Sequence, residues 1–353
     1  MAINQTPGEI YFITEEDLLT HDISSYVKVG LVRENEGRSS EERLLEHQTG
    51  NPRKLSIYKI IKTPAVSAVE GVLHGLFAAD RVSGEWFDFD GATLERCVQE
   101  AEKLKLEAEA NIEIIAEAAR LKDVPSTDEI KKPTKIIEDY FSEYTDATVC
   151  LAECKSQDKA IKELFILAEA GTEEVGHLIE KQERKGRTVL NKELLESAHP
   201  DIYSKYISSE VSISGRVNFA KMDVLEISMR LLGDGADDFM QDLRRAINLV
   251  AAGAAPVDNL QDYSLRLAEF TTAAEWHQEI ALANIKAFCG TACEIEGILK
   301  WARVKSTKEV FNEKLFKEEQ PELYAKFSTT GDDVVAHKVK MTKVNPKKGS
   351  STK

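Results

Sequence analysis

Near the start of the chain, two tyrosines, Tyr11 and Tyr26, stand close in sequence to Lys28, and Arg43 opens the next amphipathic stretch. Glu70 and His74 are four residues apart, a spacing that puts both on one face of a helix. Glu85 sits beside Trp86 just after Gly84. Hydrolysing a phosphodiester needs a base near the attacking water and a cation near the developing phosphorane charge. It also needs an acid or a metal at the leaving oxygen. Tyrosine, arginine and a glutamate-bound hard cation form such a set. Mg²⁺ or Mn²⁺ is the expected ion, because Mg²⁺ uses one or two carboxylates and keeps several waters. Each residue alone has a blander reading: a strand tyrosine is usually structural, and a Glu–His pair four apart on a helix is usually a pair of surface neighbours. Only the ordered combination points to chemistry.

The elements that must position these groups are short. Glu9 to Ile13 and Tyr26 to Gly30 read as strands ended by glycine, a hairpin or small meander. Ser39-Ser40-Glu41-Glu42-Arg43 opens a helix with serine at the capping position, and Thr49-Gly50-Asn51-Pro52 stops it. Leu55 to Ile61 alternates as a third strand. Ala65 to Ala79 is helical, with Val66, Val69, Leu73, Leu76 and Phe77 on one face. Gly84 to Phe87 turns into a short strand. The order β-β-α-β-α-β predicts a small α/β (α+β) domain over residues 1–92.

These blocks resemble the GIY-YIG endonuclease superfamily. Gly8-Glu9-Ile10-Tyr11 is similar to the first half of its signature, and Lys28-Val29-Gly30 to the second half with lysine in place of the second tyrosine. Arg43 to Pro52 resembles the helix and turn that follow. Glu70-Gly71-Val72-Leu73-His74 with Gly84-Glu85-Trp86-Phe87 resembles a phage and bacterial branch of the superfamily. The resemblance implies Tyr11 as general base or water-positioning group, Lys28 orienting phosphate or favouring a nearby phenolate, and Arg43 stabilising the scissile phosphate. It implies Glu70 as the metal anchor, with Tyr26, His74 and Glu85 in support. Two departures stand out: an extended loop from Thr14 to Ser25, and a long one from Leu31 to Glu42 that carries Arg33 and Arg38, both candidates for the arginine role. The expected function is metal-dependent DNA cleavage. The alternative is a catalytically weak or inactive DNA-structure-binding or scaffold protein that keeps the nuclease fold.

The remainder reads as a larger all-α helical region. Leu94, Cys97, Ala101, Leu104, Ala108 and Ile115 keep a 3–4 spacing over 93–124, with Asn111 on the same seam, as in a coiled coil. A homodimer through the Leu94 to Ile115 helix and a single helix packed within its own chain are the two readings of that seam. Helices are expected from about Thr134 to Arg187 with a polar turn near Lys155 to Gln157, and then over Val217–Leu232, Asp237–Ala252 and Leu260–Val304. No β-rich segment and no internal repeat are visible in 134–330, whose use as a docking module for a protein partner is expected only by default. Residues 331–353 read as a flexible basic tail. Cys150/Cys154 and Cys289/Cys293 are helical i,i+4 pairs, better read as packing than as zinc ligands. His177, His277 and Trp276 have no matching partner pattern, and Gly233 to Asp238 reads as an acidic helix-joining turn. The net charge of −15 excludes a generic DNA-coating protein but not a local DNA site. No run approaches the ~20 apolar residues of a membrane span, and Met1 to Pro7 lacks signal-peptide features, so a cytoplasmic setting is expected.

Overall fold

The computed structural model describes residues 3–169, 179–221, 229–233 and 235–339. Its N-terminal part contains β1 (Gly8–Glu16), β2 (Ile23–Arg33), α1 (Ser40–Gln48), β3 (Lys54–Thr63), α2 (Val66–Leu76), β4 (Arg81–Ser83) and β5 (Trp86–Asp88). The five strands form one antiparallel sheet in the order β3-β1-β2-β5-β4. Tyr11 lies opposite Gly30 across β1 and β2. Alternation along the strands then divides the sheet. Ile10, Phe12, Val27 and Val29 face a core shared with α2, whereas Tyr11, Ile13 and Val32 form a second cluster on the other face with Leu55. Each fully buried side chain of this size contributes about 1.5–3 kcal/mol. The expected α+β domain is present.

The helix after Asp88 is α3 (Gly91–Arg120), capped by the Asp90 side chain on Thr93 N–H at 2.7 Å. The short β6 (Ile130–Lys131) and the long α4 (Lys135–Glu169) follow. After them come β7 (Ile179–Arg184), β8 (Thr188–Leu190), α5 (Lys192–Ala198), α6 (Pro200–Lys205), β9 (Ile207–Ser214) and β10 (Asn218–Phe219). The chain continues with α7 (Ala236–Ala251), α8 (Leu260–Cys289), β11 (Glu294–Ile295), β12 (Leu299–Lys300) and β13 (Val304–Phe311). It closes with α9 (Glu313–Glu319), α10 (Pro321–Phe327), β14 (Ser328–Thr330) and β15 (Val334–Val339).

A small antiparallel sheet with helices is thus followed by a larger, mainly helical region, as expected, but that region carries strands that periodicity missed. β9 pairs with β13, β8 with β14 and β7 with β15, all antiparallel. Their partners lie far away in sequence, and both faces of β9 and β13 are largely exposed, so little hydrophobic alternation marks them. α4 runs unbroken through Lys155 to Gln157, a polar stretch on its outer surface, where Gln157 donates to Glu153 at 2.8 Å. The helix expected to Arg187 ends at Glu169, and Ile179–Arg184 is strand. α8 stops at Cys289 rather than Val304 because Gly290 takes φ 59° and the chain turns into β11. Within the expected Val217–Leu232 helix, Asn218–Phe219 is strand, with Phe219 stacked on Tyr144 at 4.2 Å, and Arg230–Leu232 is a short 3₁₀ turn. Residues 222–228, His177 and Asp234 lie outside the described residues. The segment expected to be a loose basic tail begins as β15, which carries Lys338; lysines 340, 343, 347, 348 and 353 lie outside the described residues.

The Leu94-to-Ile115 seam is buried within its own chain. Leu94, Cys97, Ala101, Leu104, Ala108, Ile112 and Ile115 join the core of the sheet together with Trp276 and Ala283 of α8. Of the two readings of the seam, the helix packed within its own chain is the one observed, and the apolar stripe that a homodimer would need is already covered. Asn111 does act as a register polar group, but toward α8, accepting from Asn284 Nδ2 at 3.0 Å, and Trp276 Nε1 donates to Glu107 at 2.6 Å. The cysteine pairs are also separated: Cys150 and Cys154 pack in one apolar cluster, Cys289 in another.

α8 presses against α2 at Gly75, where a Cβ would collide with the Thr272 side chain. Gly75→Val is expected to lower the unfolding free energy by about 1–3 kcal/mol, the usual cost of overpacking, measured by urea denaturation. Thr272→Gly in the same chain should recover most of the loss. A Gly75→Val chain as stable as the parent would show that the two helices do not meet there.

Candidate functional site

α1 sets the first half of the site. Ser39 caps it: its hydroxyl accepts from Glu42 N–H at 3.2 Å while Ser39 N–H donates to the Glu42 carboxylate at 2.8 Å, a reciprocal capping box. Ser40 donates to Glu9 at 2.7 Å and pins that end of the helix to β1. Arg43 and His47 follow one turn apart on one helix face. The Tyr11 hydroxyl lies 3.3 Å from His47 Nε2. Arg43 is near enough to Tyr11 to oppose the rise in its pKa and is ion-paired with Glu46. Gly30 makes room for this arrangement, since a Cβ there would strike the Tyr11 ring and hydroxyl. The glycine of the second motif half is thus a packing requirement of the tyrosine of the first.

α2 sets the second half. His74 Nε2 donates to the Val29 carbonyl at 2.8 Å, which ties α2 to β2, and its ring lies 3.6 Å from the Glu70 carboxylate. Burial holds the His74 pKa below its ordinary value. Burial also pushes Glu70 up to about 7, and the charge of Glu85 adds to the rise against Arg81, Arg33 and Lys28. In Glu85, burial is outweighed by the hydrogen bond and charge of Lys28, and the pKa falls; the two side chains meet at 2.5 Å.

Tyr11, Lys28, Arg43, Glu70, His74 and Glu85 therefore fall in one electrostatically coupled group, and the structure adds His47 to it. The spacing Arg43-x-x-x-His47 on a capped helix was the available signal for that histidine. Some individual expectations change. Lys28 is buried and its ammonium is taken by Glu85, so it is not free for phosphate. It does not favour a phenolate either: burial and then the charge of Glu85 raise the Tyr11 pKa, and Arg43 is the cation that opposes them. Tyr26 stands two residues from Lys28 on the same strand face, 45% exposed, opposite Asp88. Arg33 is held by Ser67 at 3.1 Å and Glu36 at 2.8 Å, and Arg38 shares Glu46 with Arg43; Arg43 is the one of the three that interacts with Tyr11. Tyr11 is 1% exposed, so the open side of the group is formed by Arg43, Glu70 and Glu85. Among the described residues no three His, Cys, Asp or Glu side chains gather as a ready metal cluster. Glu70 is the carboxylate on which a hard cation would relieve the cost of burial, with water filling its other positions.

Residues 8–102 match the T5orf172 domain family, a domain found in phage proteins and in proteins related to endonucleases. The match runs from β1 into the first turns of α3 and takes in every residue of the coupled group. The match suggests a nuclease-related or DNA-binding role for this part of the chain. No curated protein and no solved structure matches the chain.

The raised Glu70 pKa has a definite sign. A carboxyl that holds its proton more tightly when folded favours the folded state at low pH, and that contribution is lost as pH rises from the unfolded value, near 4.5, through about 7. Glu70→Gln should match the parent in stability below pH 5 and exceed it above pH 7. Side-chain carboxyl NMR should titrate Glu70 near 7, and lower in Glu85→Gln. A Glu70 titration at an ordinary glutamate value, with no pH-dependent difference between the chains, would remove the electrostatic coupling described above.

Proposed function

We propose that residues 8–102 are a metal-dependent endonuclease domain of the GIY-YIG type that hydrolyses phosphodiester bonds in DNA. The observation that carries this reading is the approach of Tyr11, Arg43 and His47 on one side and of Glu70 on the other to a single coupled group. In this reading the Arg43 guanidinium holds the non-bridging oxygens of the scissile phosphate. Glu70 holds one Mg²⁺ or Mn²⁺, which would stabilise the leaving oxygen. The Tyr11 phenol is too weak an acid to ionise alone. Burial, then the charges of Lys28 and Arg43, keep His47 below its usual pKa and therefore neutral at neutral pH. Its Nε2 can take the proton that Tyr11 releases as the phenol receives one from water. Lys28 and Glu85 neutralise each other and hold β2 against the turn before β5.

The buried Tyr11 and the closed Lys28–Glu85 pair favour a second reading, a DNA-structure-binding protein in which the nuclease fold survives with weak or no catalysis.

A plasmid-nicking assay with Mg²⁺ or Mn²⁺ separates the two. Arg43→Ala and Glu70→Ala are expected to reduce nicking about 10²–10³-fold, the usual loss when one stabilising group is removed from a developing charge. Both variants should stay folded by circular dichroism. Equal cutting by the variants and the parent would overturn the residue roles. A parent that binds branched or nicked DNA yet never cuts under any divalent ion would favour the second reading. Because Glu70 must shed its proton to take a cation, nicking at low Mg²⁺ should rise with pH through a midpoint near 7 and level off above it. The midpoint should move to lower pH as Mg²⁺ is raised. A midpoint independent of Mg²⁺ would detach the metal from this carboxylate.

A further inference from the structure

The late strands and short helices contain the same unit twice. Val189, Asn191, Leu194, Pro200, Tyr203 and Lys205 recur in the same order and spacing as Val310, Asn312, Leu315, Pro321, Tyr324 and Lys326. Between them stand conservative exchanges such as Leu195 with Phe316, Asp201 with Glu322 and Tyr206 with Phe327. The copies fold alike. Asn191 caps α5 by accepting from Leu194 N–H at 3.0 Å, and Asn312 caps α9 by accepting from Leu315 N–H at 3.0 Å. Pro200 opens α6 as Pro321 opens α10.

The copies also grip each other reciprocally. Asn191 N–H donates to Phe327 O at 2.9 Å, and the equivalent Asn312 N–H donates to Tyr206 O at 2.8 Å. Leu190 lies opposite Ser328 across β8 and β14, and Phe311 opposite Ile207 across β13 and β9. Contacts of this kind, where residue i of one copy meets j of the other and j meets i, define a two-fold interface. Lys192 and Glu313 occupy equivalent positions and pair with each other at 3.1 Å, which places the pseudo-dyad beside them. Leu190, Leu195 and Tyr206 of the first copy and Phe311, Phe316 and Tyr324 of the second fill a common core. The repeat was hidden because a long stretch containing α7 and α8 separates copies whose charged positions have diverged, as in Glu193 with Lys314 and Glu196 with Lys317.

Two pairs of cationic positions are matched across the dyad: Arg187 with Lys308, and Lys205 with Lys326. All four are exposed, and none is ion-paired to a described residue. The matched acidic pair, Asp201 and Glu322, lies in the first turns of α6 and α10, four residues before Lys205 and Lys326 on the same helix faces. We propose that this two-copy lobe is a duplex-DNA-binding surface in which the dyad-related cations each meet one of the two phosphate strands. Duplex DNA has local two-fold symmetry, so a two-fold protein surface contacts its two strands equivalently. In a chain with a net charge of −15, exposed cations without an ion-pair partner are groups available to phosphate. The proposal rests on the reading that residues 8–102 act on DNA and supplies the surface that would hold the substrate for them.

The test is fluorescence anisotropy of the full chain on a labelled duplex in EDTA, so that binding is measured without cleavage. Lys205→Ala and Lys326→Ala should each weaken binding by a similar factor, about threefold or more. The double substitution should multiply the two effects. Each lost cation should reduce the slope of log K against log salt by about 0.9. Arg187→Ala with Lys308→Ala should behave the same way. Parent binding that none of these substitutions weakens would overturn the proposal, as would a loss confined to one member of each pair or an absence of duplex binding by the parent. Plasmid nicking on the same preparations keeps the two readings apart. Nicking retained with unchanged affinity rejects this surface and leaves the nuclease reading standing. Symmetric weakening in a chain that never nicks keeps the surface and rejects the nuclease.

Discussion

The hydrogen bond from His74 Nε2 to the Val29 carbonyl fixes the site. It joins the helix that carries Glu70 to the strand that carries Lys28, and so decides how far the two carboxylates stand from each other and from the cations. A buried donor paired to a backbone carbonyl is expensive to break, because both groups would be left without water or partner. The bond also requires the proton on Nε2, and burial keeps the imidazole neutral. With α2 held in this way, Glu70 has Glu85 as a like-charged neighbour and is driven toward its protonated form, a condition that a divalent cation would reverse.

The same helix is braced from behind. Gly75 admits α8 to close contact, and α3 lies alongside with its seam buried. The bonds Asn284 to Asn111 and Trp276 to Glu107 lock the register of α8 against α3. The larger region is therefore packed onto the back of the domain that holds the candidate site. Small and polar residues at the helix crossings set the register, and Trp276 and Ala283 of α8 share one apolar core with α2, α3 and the sheet.

Much of the N-terminal domain was legible in the sequence. Short apolar runs near glycine mark the first two strands, Ser39 with Glu42 announces a helix start, and Glu70 with His74 falls at helical spacing; each signal is local, and each was correct. What stayed hidden depends on partners distant in the chain. Lys28 looked available for phosphate because nothing local reveals that Glu85 will meet it. His47 was written beside Arg43 in the motif, yet only the position of Tyr11 across the sheet shows what it does. The seam of α3 read equally well as a dimer contact, since periodicity shows that a stripe will be covered but not by which helix. β9 and β13 have largely exposed faces and partners remote in sequence, so period and propensity had little to register. The repeat around Asn191 and Asn312 needed the reciprocal backbone bonds to become visible.

The central claim is that Glu70 anchors a single divalent ion facing Arg43 and Tyr11. Anomalous X-ray scattering from crystals of the protein soaked in Mn²⁺ addresses it directly. The account predicts one strong peak within coordination distance of the Glu70 carboxylate, with water as most of its remaining ligands. A chain that binds Mn²⁺ only elsewhere, or an ordered crystal with no peak at Glu70, would contradict it.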